Sequence, residues 1–238
     1  KYKMEKATKG LIYSDQSSMF GKRDILGFGT NDFYIKEIER DKANKIIIKK
    51  HYSKKVYSAT YINLGVYMAS KLVGILQYGY AMNPASCGSV VEGTEMDQYL
   101  ELNRMWIDDI APRNSESTAI SYSIKYIKNR YPKIKWIQSF ADERCGGLGI
   151  VYQACSFNYY GEHTSLFWTL DNKIYHNSLM TRDPKLSKSA AFIQANKERA
   201  TSQELRQFRY IKFIDQSWKK KCLHKEKPYP KHYLEAIQ

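Results

Sequence analysis

ELNRMWIDDIAPRNSESTAISYSIKYIKNRYPKIKWIQSFAD, residues 101–142, is the stretch whose reading decides the fold. YLELNRMWIDD, residues 99–109, is rich in aliphatic and aromatic residues and predicts a strand. Beyond Pro112 a helix is expected over RNSESTAISYSIKYIKNRY, residues 113–131, because Ile120, Ile124, Ile127 and Tyr131 recur on one helical face. Pro132 stops it, since proline has no amide hydrogen to continue the ladder. IKWIQSFAD, residues 134–142, is then a second strand. Strand, helix and strand in succession demand a crossover, and crossovers onto one sheet are right-handed.

Outward from this unit the pattern continues. CGGLGIVYQACSF, residues 145–157, predicts a helix opened by a Gly-rich turn, and NYYGEH and LFWTLDNKIYHN predict two closing strands. Upstream, FYIKEI reads as a strand, ERDKANKIIIKKHY as a helix ending near His51, and residues 61–82 as a hairpin. Residues 83–97 form a long loop of the kind that commonly serves function. The expected fold is α/β: a layered arrangement with a mixed central sheet of about seven strands and flanking helices. Residues 1–32 are read as an N-terminal arm, 33–180 as the main domain, and 181–238 as a basic extension packed on it.

The 238 residues carry 38 Lys+Arg against 24 Asp+Glu, a formal charge of +14, which suggests a polyanionic partner. Residues 181–238 hold 14 of the basic residues and 6 of the acidic ones. At 43% hydrophobic the chain can bury a core, so disorder is excluded for most of it. No apolar run is long enough to span a bilayer, and no association with a membrane is expected. The four cysteines lie far apart, without paired zinc-ligand spacing, and reduced thiols are expected.

One strand carries polar groups where the pattern calls for apolar ones. Strict alternation puts Leu102, Arg104 and Trp106 on one face of their strand and Glu101, Asn103 and Met105 on the other. A buried polar group without a partner costs roughly 1–3 kcal/mol, so these residues form either an internal ion pair or a wet site at a splayed sheet. Asp142 ends its strand where open α/β sheets bind ligands, although an Asp there also suits a helix cap. His51 and Tyr52 close a helix; alone they read as structural. Arg113 and the start of the following helix around Ser117 offer an anion site, but Glu116 opposes it and the glycines of a phosphate loop are missing. The lysines Lys219, Lys220, Lys221, Lys225 and Lys227 lie in a stretch that reads as exposed, with charge suited to a polyanionic partner.

ELNRMWIDDIAPRNSESTAISYSIKYIKNRYPKIKWIQSFADERCGGLGIVYQA, followed by GEHTSLFW, closely resembles the Mom family of phage DNA adenine-modification proteins, over about residues 51–177 and more loosely through RQFRYIKFID and PYPK. The resemblance implies a GNAT-like acyltransferase fold and conversion of adenine in DNA to N6-carbamoylmethyladenine, which hides phage DNA from host restriction enzymes in the cytoplasm of the infected bacterium. It implies catalytic roles for His51, Tyr52, Arg104, Asp142 and Tyr152. It sets His51 and Asp142 as a metal-linked pair, with iron as the metal, and Arg104, Ser117 and Tyr152, joined by Arg113, on the cofactor side. The implied partner is double-stranded DNA, and the acyl donor is acetyl-CoA or, with tRNA as a second partner, glycyl-tRNA. Two other functions fit the residues: a non-catalytic nucleic-acid-binding module, and an acyltransferase acting on a small amine or a protein.

Overall fold

The computed structural model describes residues 8–17, 23–143 and 147–231. Arg144, and the Cys145 and Gly146 that open the third expected helix, lie outside the described residues, as do residues 1–7, 18–22 and 232–238.

Among the described residues ten strands are ordered β1-β2-β3-β4-β5-β6-β7-β10-β8-β9. They are β1 Gly10–Ser17, β2 Arg23–Gly29, β3 Phe33–Glu37, β4 Thr60–Met68, β5 Lys71–Gly79, β6 Tyr99–Ile107, β7 Trp136–Asp142, β8 Asn158–Leu170, β9 Lys173–His176 and β10 Thr201–Phe213. The expected α/β class with a mixed sheet and flanking helices stands; the expected seven strands become ten. Part of the difference lies in the segment read as an arm. Its β1 is polar and irregular, with two register shifts against β2, so it shows no period. Gly27 and Gly29 leave no room for a side chain against the backbone of Ile35 and Tyr34, which lets β2 close onto β3.

The chain forms two compact units. Among the described residues the first comprises those up to 139, with 151–158 and 211–225. In it α1, Arg40–Lys50, buries Ala43 and Ile47 against Ile75, with Trp106 and Leu72 packed around them. α2, Ser115–Arg130, packs on β2 and β3 through Ala119, Ile120, Tyr122, Tyr126 and Ile127. Ser123 shares that buried face because its hydroxyl bonds Tyr78 and the carbonyl of Ile120. α3 is short, Ile150–Ala154, where a helix over 145–157 was expected.

The second unit comprises the described residues among 140–150 and 159–210 and those from 226 to 231. Its core is Tyr159, Tyr160, Phe167, Leu170, Ala190, Ile193, Phe208 and Tyr210. The two closing strands divide differently from expectation: β8 runs through to Leu170 and turns into β9 at Asp171 and Asn172, both at positive φ. That pair is the two-residue hairpin turn favoured by Asn and Asp. α4, Ser178–Thr181, and α5, Lys188–Ala195, follow.

Candidate active site

The polar strand β6 holds the first site. It pairs antiparallel with β5 and parallel with β7, but the parallel ladder spans only Tyr99↔Trp136, Leu100↔Ile137 and Glu101↔Gln138. Beyond Glu101 the pairing stops, and the strand edge opens where its polar residues begin. On the β5 side the register shifts, with Gln77 opposite Arg104 and Tyr78 opposite Leu102. Asn103 is therefore an extra residue, a β-bulge, which re-aims the side chains that follow it.

This bulge corrects the alternation read from the sequence, which put Arg104 and Glu101 on opposite faces. The Arg104 guanidinium lies over the Tyr57 ring, 5.3 Å from its centroid, and the same phenol feels the Glu101 carboxylate. Burial, reinforced by Glu101 and opposed by Arg104, pushes the Tyr57 phenol up to about 12. It is a proton donor at neutral pH. Glu101 is held by two amides: Gln138 donates to Oε2 at 2.9 Å and Asn103 to Oε1 at 3.0 Å. Arg104 donates to the carbonyls of Asn103 at 2.7 Å and Lys55 at 3.3 Å. The polar strand is thus an amide-clamped carboxylate and a backbone-fixed cation meeting at one tyrosine.

His51 sits just past the end of α1, 4% exposed, with its ring 4.3 Å from that of Tyr52. The Ser53 backbone N–H donates to Nδ1 at 3.1 Å. Burial, and then the nearby Arg104 charge, lower the imidazole to about 4. A neutral ring whose Nδ1 accepts a hydrogen bond carries its proton on Nε2. His51 is therefore a fixed Nε2–H donor.

A second group of expected residues surrounds Cys155. Its Sγ donates to the Ser117 carbonyl at 3.2 Å and accepts from Ser121 at 3.6 Å. Lys212 spans the carbonyls of Cys155 and Ser156. Tyr152 lies one turn before, its ring 5.6 Å from Phe157, and the Tyr78 phenol is raised by burial first and then by Cys155 and Tyr152. Ser117 and Tyr152 thus come to one place, whereas Arg104 groups with His51. Arg113 is exposed ahead of α2. In the turn that follows, Asn114 is left-handed at φ 70°, the Ser115 amide donates to Pro112, and the hydroxyls of Ser115 and Ser117 turn back onto carbonyls. With Glu116 in the first turn, these residues do not make the glycine-lined cradle a CoA pyrophosphate needs.

Asp142 is half-buried at the end of β7 and belongs to the second unit, whereas His51 belongs to the first. Among the described residues no three His, Cys, Asp or Glu side chains cluster to hold a metal, and Nδ1 of His51 is already engaged. The residues described do not fit an iron centre. Of the expected DNA-binding lysines, Lys219, Lys220, Lys221 and Lys225 are exposed in the first unit and Lys227 in the second. They are not on a loose tail: Cys222 bridges Val91, and Lys227 bridges Tyr159. Among the described residues no helix is long and apolar enough to cross a membrane. Sequence reasoning missed Cys155 and the role of Tyr57, for which composition gives no signal.

A parallel strand pair opened beside a bulge, with a neutral histidine, a fixed arginine and a clamped carboxylate around it, defines an α/β chain built around a polar site in its sheet. A family model described as "Mom protein family" matches residues 32–231, and the chain belongs to that family. It is 45% identical over 210 residues, 87% of either chain, to the methylcarbamoylase Mom of Escherichia phage Mu. Among solved structures it is similar to a ribosomal-protein-S5-alanine acetyltransferase from Vibrio fischeri, at 10% identity and a TM-score of 0.48, covering 81% of this chain and 98% of that one. It is also similar to a GNAT-family acetyltransferase from Streptococcus pneumoniae, at 11% identity and a TM-score of 0.45, covering 77% and 99%.

Proposed function

We propose that this chain is a phage DNA-modification enzyme that converts adenine in DNA to N6-carbamoylmethyladenine and so protects phage DNA from host restriction enzymes. The observation that carries the reading is the 45% identity, over 87% of both chains, to a phage methylcarbamoylase. The charge of +14 supports a DNA substrate. In this reading the group transferred develops negative charge on its carbonyl oxygen, and three prearranged donors answer that need: the Arg104 guanidinium, the Tyr57 phenol and Nε2–H of His51. Asp142 takes the proton from N6, and Tyr152 protonates the leaving group of the donor.

The donor in this reading is an activated glycine such as glycyl-tRNA. Acetyl transfer alone would leave an acetamide, which lacks the second nitrogen of a carbamoylmethyl group. Attack of adenine N6 on a glycyl ester releases the tRNA hydroxyl and leaves a glycyl amide. Its free amine then attacks C6 through a five-membered ring, and collapse turns the original N6 into the terminal amide. Such intramolecular attack has effective concentrations on the order of 10^5 M or more when well oriented.

Mass spectrometry of nucleosides from DNA of expressing bacteria tests the reading. An adenine about 57 Da heavier, one added C2H3NO unit, is expected on a base handled as an extruded substrate. Unmodified nucleosides would reject the enzyme. Feeding glycine labelled with nitrogen-15, with its entry into purines suppressed, should label the nitrogen attached to C6; label only in the terminal amide rejects the rearrangement.

A further inference from the structure

The second compact unit contains a cavity of about 670 Å³ lined by its own residues. Its lining includes Tyr159, Phe208, Tyr229, Glu162, Arg206 and Lys227. The aromatic members form one array: Tyr159 lies 6.3 Å from Phe208 and 5.4 Å from Tyr210, and Tyr210 lies 6.4 Å from Tyr229. Tyr229 is 41% exposed, so a large ring is kept partly open to solvent at the rim. It is carried by the segment Lys227–Pro–Tyr–Pro–Lys231, which the Lys227 amide ties to the Tyr159 carbonyl at 2.8 Å. The two prolines have no amide to continue that pairing, so the segment crosses the cavity as a stiff strap instead of joining the sheet.

The polar members are set by their partners. Arg206 is bound to Glu143 through its backbone amide and two guanidinium contacts at 3.0 and 2.7 Å, which holds the Glu143 carboxyl below its ordinary range. Arg206 is thus a neutralised wall, its guanidinium 5.2 Å from the Phe208 centroid. Glu162 is exposed, and its Oε2 accepts from the Tyr159 hydroxyl. Burial and that carboxylate keep the Tyr159 phenol protonated, so the contact orients Glu162. Lys227 crosses Gly161, the neighbour of Glu162, and its Nζ is 3.2 Å from where a Cβ would stand at that glycine. An acceptor, Glu162, and a cationic donor, Lys227, therefore both line this aromatic cavity.

We propose that this cavity receives a single base extruded from DNA, one that presents an amino group beside an unprotonated ring nitrogen, as adenine does. The proposal rests on the reading of the chain as a DNA-modifying enzyme and adds where the base is held. The rings stack the base. The Glu162 carboxylate accepts from the exocyclic amine, and the Lys227 ammonium donates to the adjacent ring nitrogen. Thymine would bring a carbonyl oxygen against the carboxylate and is disfavoured.

The test is photo-crosslinking of the full chain to duplex DNA carrying 8-azidoadenine, with the adduct mapped by tandem mass spectrometry. Adducts are expected on Tyr229 or Tyr159, and Glu162→Gln and Tyr229→Ala should lower their yield by about fivefold or more, the low end for removing one group that holds a base. Salt-dependent affinity for unlabelled duplex should stay within about twofold in both variants, since phosphates dominate it. Adducts confined to other residues, no adduct at all, or an unchanged yield in both variants overturn the pocket. Nucleoside analysis of the same proteins keeps the two readings apart: crosslinking in the pocket without a modified base retains the pocket and rejects the enzyme, whereas a modified base made equally well by both variants retains the enzyme and rejects the pocket.

Discussion

Replacing His51 by Asn should remove a defined part of the acid sensitivity of this protein. In the folded chain the imidazole is lowered to about 4, first by burial and then by Arg104, against an ordinary value of about 6.5 in the unfolded chain. Between those values the unfolded state binds a proton that the folded state refuses. Stability contributed by the neutral ring is therefore complete above about pH 6.5 and is lost as pH falls toward 4. At about pH 5 the linkage relation gives a loss of about 2 kcal/mol relative to pH 7.5, and allowing for screening by nearby solvent brings it to about 1 kcal/mol. Asn keeps an oxygen placed to accept from the Ser53 amide, the contact that Nδ1 makes at 3.1 Å, but has nothing to titrate. Urea unfolding followed by tryptophan fluorescence at both pH values measures the difference. Taking a urea slope of about 2.5 kcal/mol/M, the wild type should lose roughly 0.4 M more of its midpoint than His51→Asn on going to pH 5. Equal losses in the two proteins would refute the buried neutral histidine. Long-range proton–nitrogen NMR checks the tautomer independently: the proton belongs on Nε2, and a protonated Nδ1 would undo the donor role assigned to this ring.

Glu101→Ala should cost about 1–3 kcal/mol, because the Gln138 and Asn103 amides lose their shared acceptor; Glu101→Gln, which keeps one oxygen, should cost less, and thermal unfolding ranks them. Gly149→Ala should destabilise the second unit by about 1–3 kcal/mol, since the residue sits at φ +79° and an added methyl would strike the Tyr210 ring; protection of amides in β8 reads the loss. Neutralising Lys219, Lys220, Lys221, Lys225 and Lys227 together should weaken binding to every duplex alike and flatten its salt dependence by up to about 0.9 for each phosphate no longer neutralised; a changed sequence preference at constant slope would contradict that.

Much of the frame could be read from residues 99–142 because aliphatic and aromatic content marks the two strands and a helical period, stopped at Pro132, marks the segment between them. β6, α2 and β7 fall where the pattern puts them, and α2 buries Ile120 and Ile127 as the spacing requires. The missed strands share a physical cause. β1 and β2 carry polar residues and glycines, and their pairing depends on backbone approach at Gly27 and Gly29, which leaves no hydrophobic signature. β8 reads as two runs in the sequence because Gly161 and the polar Glu162, His163, Thr164 and Ser165 interrupt its apolar residues, yet the backbone continues through Gly161 at φ +94°.

That glycine and the bulge at Asn103 act alike, and together they explain why site residues were easier to name than to arrange. Alternation is a rule about unbroken strands, and each break changes which side chains meet. Without the extra residue in β6, Arg104 and Glu101 would face apart; with it, Arg104 lies over Tyr57 and the Glu101 charge acts on the same phenol. In β8, residues 159 and 163 should share a face, yet Tyr159 packs on Phe208 while His163 packs on Phe140. Phe140 in turn lies under Arg209, the neighbour of Phe208 in β10 and therefore on the other face of that strand. The positive φ at Gly161 lies between Tyr159 and His163, and only a residue without a Cβ holds that conformation readily. Bulges and glycine breaks cost sheet hydrogen bonds, and they concentrate where a side chain must be re-aimed for function. The hairpin β4–β5 also shifts register, between Thr60 and Ile62 and between Val66 and Tyr67, so a break alone marks no site; what sets the break in β6 apart is that it re-aims charged side chains, Glu101 and Arg104, within a sheet.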